Sequence, residues 1–346
     1  MEDVIVIGAG QAGLALARCL QRRGREAVLL DADQPGEAWR RRYDSLVLFT
    51  PSQYSALPDA PFPLPADRYP TKDQVADYLA DYARRHRLTV RSHCRVSGLR
   101  ALDGGGFHLQ TDSGGGLRAR RVVVATGALQ RPAVPSFAAH LDAGVHQLHT
   151  SAYRRPSDLP PGRLVIVGAG NSGAQIAEEL CRVRDVVMAF DRLPKRFPQR
   201  VLGRDIFWWF LRAGVMDRTR SAERDARDVV GAIPLIGTDL PRLLRRGAIA
   251  RLARVVGASG RQLQIADGRR TEVDVVLWAT GFRNDFSWID VPGALDAAGM
   301  PRQHRGVGAV PGLHFLGLPG LHTKGSAFIG FVGRDADYLA GVLAAA

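Results

Sequence analysis

The chain has 346 residues, 46% of them apolar and 23% charged, with a formal charge of +13. That balance excludes a disordered or collagen-like chain and provides for about two domains of ~150 residues each. No apolar run approaches the ~20 residues needed to cross a bilayer, and the widely spaced Cys19, Cys94 and Cys181 make no disulfide framework, zinc pattern or Cys-x-x-Cys pair.

The first element is the β-branched run Val4–Ile7, directly after Met1-Glu2-Asp3. With no leader ahead of it, a cytoplasmic location is expected. Gly8-Ala9-Gly10-Gln11-Ala12-Gly13 then opens a helical pattern, and a second apolar run, Ala27–Leu30, ends at Asp31. This is the G-x-G-x-x-G plan of a dinucleotide-binding βαβ unit. The first glycine makes the tight turn, the second lets amides approach a pyrophosphate, and the third permits close helix–strand packing. Gly8, Gly10, Ala12, Gly13 and Asp31 are therefore expected to hold a dinucleotide. Asp31 suits a ribose diol, and Ala32-Asp33 behind it offers nothing to an extra phosphate, so FAD fits here.

Residues 107–127 close the unit with a strand, the turn Asp112-Ser113-Gly114, another strand and Ala125-Thr126-Gly127. After a proline-marked crossing (132–161) the plan repeats. Leu164–Gly173 matches Val4–Gly13 with Gly168, Gly170, Asn171, Ser172 and Gly173 in its loop, and Asp191 stands where Asp31 does. Residues 262–282 repeat the closing hairpin and end in Ala279-Thr280-Gly281. Arg192, with Lys195 and Arg196 behind it, could pair with the 2′-phosphate of NADPH, whereas Asp191 would favour the free diol of NADH. NADPH is the expected second ligand, with NADH open. Two nucleotides on one electron path must meet where Thr126-Gly127 and Thr280-Gly281 cross between the units.

The pattern predicts an α/β fold with two Rossmann-like dinucleotide-binding domains in a glutathione-reductase-like architecture. Residues 1–155 plus 283–346 would bind FAD, and 160–282 would bind NAD(P)H. The second domain would carry a helical insertion at about 197–245, and a closing helix is expected near 333–344. The aromatic run Asp205–Leu211 in that insertion reads as a buried or partner-facing helix, a substrate lid, or a membrane-surface helix. Only Lys72, Lys195 and Lys324 are lysines among 47 basic residues. The arginines are scattered among acids without a basic tract, so no nucleic-acid partner is expected.

These residues resemble the flavin-containing monooxygenases and their class B flavoprotein relatives over nearly the whole chain, the small bacterial branch in particular. The likeness adds Gly36-x-x-Trp39 with Tyr43-Asp44-Ser45-Leu46, Leu57-Pro58-Asp59-x-Pro61-Phe62-Pro63, Trp278–Phe282 and Gly312–Leu318. It implies that Trp39 lies beside the flavin. It also implies that NADPH reduces the flavin and that a C4a-(hydro)peroxyflavin passes one oxygen of O2 to a small heteroatom or carbonyl substrate. Two departures stand out. His149-Thr150-Ser151-Ala152-Tyr153 matches only the second half of the family's inter-domain fingerprint, and Phe49 stands where some members place an Asn over the flavin. Phe49, Asn171 and His322 (with Ser326) are the candidates to face substrate. No metal is expected, and a homodimer is left open. An NAD(P)H-dependent flavin reductase or oxidase and a nucleotide-binding redox sensor are the alternatives; the unpaired cysteines disfavour a disulfide reductase.

Overall fold

The computed structural model describes residues 1–219 and 234–345. Strand β1 (Glu2–Ile7) buries Val4–Ile7 completely, because it lies mid-sheet with layers on both faces. Helix α1 (Gln11–Gln21) follows and is buried on nearly every side through Ala12, Leu14, Ala15, Leu16, Cys19 and Leu20. Strand β2 (Val28–Leu30) returns parallel to β1, with Ile5 opposite Val28. A short α2 (Glu37–Arg40) and the longer α3 (Lys72–Arg85) come next. A capping box, Thr71 with Gln74, satisfies the first amides of α3.

Strand β3 (Val90–Arg91) pairs with β2. β4 (Val96–Ala101), β5 (Phe107–Thr111) and β6 (Gly116–Val124) form an antiparallel meander, and the far half of β6 runs parallel to β1. Leu313–Phe315 adds to the other side of β6, also parallel. Parallel order in this first sheet is thus β3–β2–β1–β6–(313–315).

The second sheet is wholly parallel, in the order 250–252, 187–189, 164–167, 275–278, 146–149. Helix α4 (Asn171–Leu180) joins strands 164–167 and 187–189 and packs on one face of the sheet, while an antiparallel three-stranded excursion (255–259, 262–265, 270–272) packs on the other. His146–His149, which the sequence places with the first unit, is the edge strand of this second sheet. Its registry with Val275–Trp278 lets Leu148 pack on the second core.

The insertion is not simply helical. It holds α5 (Ile206–Arg212) and α6 (Leu240–Arg245), but Arg196–Phe197 pairs with Leu235–Ile236 and Arg200–Val201 with Arg204–Asp205. The left-handed residues Leu202 and Gly203 turn that hairpin. The remainder of the insertion, 220–233, lies outside the described residues. Helix α7 (Val332–Ala345) packs along α1 and closes the first core. Among the described residues no helix is long and apolar enough to cross a membrane.

Candidate functional site

Both glycine loops are built alike. Gly8 has φ +111, its amide bonds Leu30 at 2.7 Å, and a Cβ there would meet the Ala125 carbonyl. Gly168 repeats this with φ +109, a bond to Ala189 at 2.9 Å, and the Ala279 carbonyl in the way of any Cβ. Gly13 and Gly173 press α1 and α4 onto the carbonyls of Gly8 and Gly168. Gly10 and Gly170 differ from these four: apart from their chain neighbours, no atom of the described residues lies within 4 Å of where their Cβ would stand. Each is the N-cap of its helix without a side-chain cap, and neither helix has an acid in its first turn. Two open cradles of free amides at the positive ends of helices result, which fits a pyrophosphate at each.

Asp31 ties the first loop to the end of β2. One carboxylate oxygen accepts from the Ala9 amide (2.6 Å) and the other from the Asp33 amide (2.9 Å), while burial raises its pKa. Trp39 donates its indole N–H to Gln11 (3.2 Å) at the mouth of the cradle. Ala12 lies under Gly317, whose φ of +76 and lack of a side chain let the two touch. In the second unit Asp191 and Arg192 are exposed at the strand end, and Arg251 stacks on Phe190 and donates to the Asp191 carbonyl. Asn171 donates to the Pro234 carbonyl (3.1 Å) rather than lying free.

The crossing strands join the two units. Arg131–Pro132 pairs antiparallel with Phe282–Arg283, so Thr126-Gly127 and Thr280-Gly281 come to the same seam. Gln130 bonds Thr126 Oγ1 (3.0 Å) and the Gly127 carbonyl (2.7 Å). The Thr280 hydroxyl is buried without a partner among the described residues, a vacant polar atom beside the second cradle. His149 is buried, and its Nε2 contacts the Gly281 carbonyl (2.8 Å) while its Nδ1 contacts the Ser151 amide (3.1 Å). Those partners require the Nε2–H tautomer. Burial, helped by nearby Arg42, lowers its pKa, so the ring is neutral.

The Phe49 side chain stacks on Phe207 of α5, meets Phe328 edge-on and packs against the apolar cluster of Ile206, Phe207, Met216, Ile236 and Phe331. Its carbonyl accepts from Gln199, which also bonds Asp205; Asp205 in turn accepts from Tyr69 (2.7 Å) and caps α5. Asp205 was recognisable as an acid just ahead of an apolar run, but its clasp on Tyr69 was not. His322 is half-buried at the start of a turn closed by the Ser326 hydroxyl, which bonds the amides of 322 and 323. That turn leans on Met216 and Arg218 of the insertion. Phe49 and His322 therefore share one border between insertion and first unit, whereas Asn171 belongs to the second cradle.

Sequence reasoning passed over Arg42. It lies 5.6 Å from the Phe282 ring centroid in the seam, and nothing in the triplet Arg40-Arg41-Arg42 singles it out. A cleft of about 970 Å³ lined by Pro156, Leu159, Arg163 and Val183 lies at the opposite, amino-terminal ends of the second sheet's strands and holds none of these residues. The cysteines are free and single, and burial pushes the Cys19 thiol up to about 11, which leaves it inert.

Residues 5–200 match the pyridine nucleotide-disulphide oxidoreductase family. The chain is 42% identical over 338 residues, 97% of each protein, to an uncharacterized oxidoreductase CzcO-like of Geobacillus kaustophilus. It is 29% identical to indole-3-pyruvate monooxygenase YUCCA1 of rice, over 98% of this chain and 90% of the other. The solved structure of a flavin-containing monooxygenase from Stenotrophomonas maltophilia superposes with a TM-score of 0.83 at 29% identity, covering 100% of this chain and 99% of that one. Two like-built cradles on two Rossmann-like sheets, with these relatives, lead to one conclusion: the chain belongs to the pyridine nucleotide-disulphide oxidoreductase family and is a flavin-containing monooxygenase-like oxidoreductase within it.

Proposed function

We propose that the chain binds FAD in the first cradle and NADPH in the second, and uses them to transfer one oxygen atom of O2 to a small heteroatom or carbonyl compound. The observation that carries this reading is the pair of open positions at Gly10 and Gly170, each under an uncapped helix end. On this reading Gly8, Gly10, Ala12, Gly13, Asp31, Trp39, Thr126 and Gly127 hold FAD. Gly168, Gly170, Asn171, Ser172, Gly173, Thr280 and Gly281 hold the nicotinamide nucleotide, and exposed Arg192 takes its 2′-phosphate.

Bound flavin supplies the redox and oxygen chemistry; the protein aligns the two nucleotides, excludes water and leaves room for substrate. Phe49, Phe207 and Phe328 supply a dry aromatic wall. The rice relative's name points to a 2-oxo acid among the substrates worth trying.

The same wall favours a second reading. Phe49 offers no hydrogen bond with which to steady a peroxide, which suits an oxidase that releases hydrogen peroxide. Turnover under 18O-labelled dioxygen separates the two. Label in the organic product supports oxygen transfer, whereas peroxide formed one-for-one with NADPH consumed, whatever compound is offered, overturns it. Failure of anaerobic NADPH to bleach the yellow protein would remove both readings and leave a redox sensor.

A further inference from the structure

The three arginines at 40–42 have different fates. Arg40 pairs with Glu37, Asp73 and Asp77, and Arg41 grips Asp33 with both guanidinium nitrogens and reaches Glu37. Arg42, half-buried, has no carboxylate within ion-pair distance among the described residues. Its neighbours are the Phe282 ring, neutral His149 and Arg154, which donates to the carbonyls of Ser151 and Tyr153 and has no carboxylate partner among the described residues. A guanidinium does not deprotonate in a protein, so among the described residues the positive charge of this seam has no carboxylate partner.

The segment holding Arg42 is fixed against the second cradle. The Tyr43 hydroxyl donates to Gln175 of α4 at 2.7 Å, and Ser172, in the first turn of α4, bears on the same hydroxyl. The Asp44 amide bonds the Arg154 carbonyl, and Gln175 bonds the Val47 carbonyl. Arg42 therefore comes from the first unit, lies beside Phe282, the residue after Thr280-Gly281, and directly precedes Tyr43, which is bonded to α4.

We infer that Arg42 is a clamp on the pyrophosphate of the nicotinamide dinucleotide, donated across the seam by the unit that holds the other nucleotide. The inference rests on the second cradle being the nicotinamide nucleotide site. A forked guanidinium suits two phosphate oxygens, and α4 supplies neutral amides but no charged donor of its own in its first turn. Arg192, out at the strand end, would read the 2′-phosphate; Arg42 would read what NADPH and NADH share. Because it belongs to the opposite unit, it would also make nucleotide binding draw the two units together.

The test titrates the FAD-loaded protein and its Arg42→Gln and Arg42→Lys variants with NADPH, NADH, ADP-ribose and adenosine 2′,5′-bisphosphate, read by calorimetry. Arg42→Gln is expected to weaken the first three by a common factor, about 10- to 100-fold, and the bisphosphate, which lacks a pyrophosphate, far less. Arg42→Lys should lose less than Arg42→Gln, since it keeps charge but not the fork. Unchanged affinity in Arg42→Gln, or a loss confined to NADPH, overturns the assignment while leaving the nucleotide site intact. Wild-type protein that binds none of the four overturns the site itself. Should Arg42→Gln not fold, Arg42→Lys with wild-type affinity for NADPH and NADH is the overturning result.

Discussion

Phe49 and Phe207 lie nearly parallel, ring centroids 6.0 Å apart and planes 8° from each other. One comes from the loop after α2, the other from the insertion in the second unit. Phe207 is 1% exposed, with Phe210 and Phe328 against it. Phe207→Ala is expected to cost ~3–5 kcal/mol, the usual loss for a buried phenylalanine, measured by urea unfolding. It should also let water reach the wall and raise the peroxide released per NADPH. A variant with the wild-type unfolding midpoint would contradict this packing.

The two kinds of glycine in each cradle make opposite predictions. At Gly10 a methyl group meets no atom of the described residues within 4 Å beyond its chain neighbours, and φ is −77, so Gly10→Ala should leave the stability of the apoprotein within ~0.5 kcal/mol. The same methyl occupies the approach of a phosphate, and FAD retention on gel filtration should fall. Gly13→Ala drives its Cβ into the Gly8 carbonyl and should destabilise the fold itself by ~1–3 kcal/mol. Equal melting losses for both variants would show that Gly10 is a structural glycine like Gly13.

The loops were legible because local chemistry dictates them: a β-branched run, a glycine that must take positive φ, and an apolar helix face recur in both copies. Asp31 was legible for the same reason. Arg42 was not, because its lack of a carboxylate is a property of what surrounds it in space, and its neighbours Arg40 and Arg41 are paired. His146–His149 joined the second sheet because its partner strand lies far along the chain, where no local pattern announces it. The two-residue ladders of the insertion are too short to carry a periodicity, and Phe49 met Phe207 through tertiary packing alone.

Arg192 sits exposed beside Asp191, with Arg251 held over Phe190 nearby. If it takes the 2′-phosphate, Arg192→Ala should weaken NADPH by about 1.5–3 kcal/mol, a charge-assisted hydrogen bond's worth, and leave NADH nearly unchanged. Dissociation constants for both coenzymes decide this. A parallel loss for the two would move Arg192 out of that role and leave Asp191 with the ribose.

His314 gives a pH dependence with a defined sign. It is buried in Leu313–Phe315 with its Nδ1 unpartnered among the described residues, and burial, reinforced by Arg121, lowers its pKa from 6.5 to about 4. The unfolded chain therefore binds a proton that the folded chain refuses between those values. The contribution to stability is complete above pH 6.5, and it is lost as pH falls towards 4. At most about 3 kcal/mol is at stake, from ~1.4 kcal/mol per pH unit. Urea unfolding of wild type and His314→Leu at pH 7.5 and 5 measures it: the wild type should lose more stability on acidification than the variant. Identical losses would mean that the histidine takes up its proton without unfolding the strand.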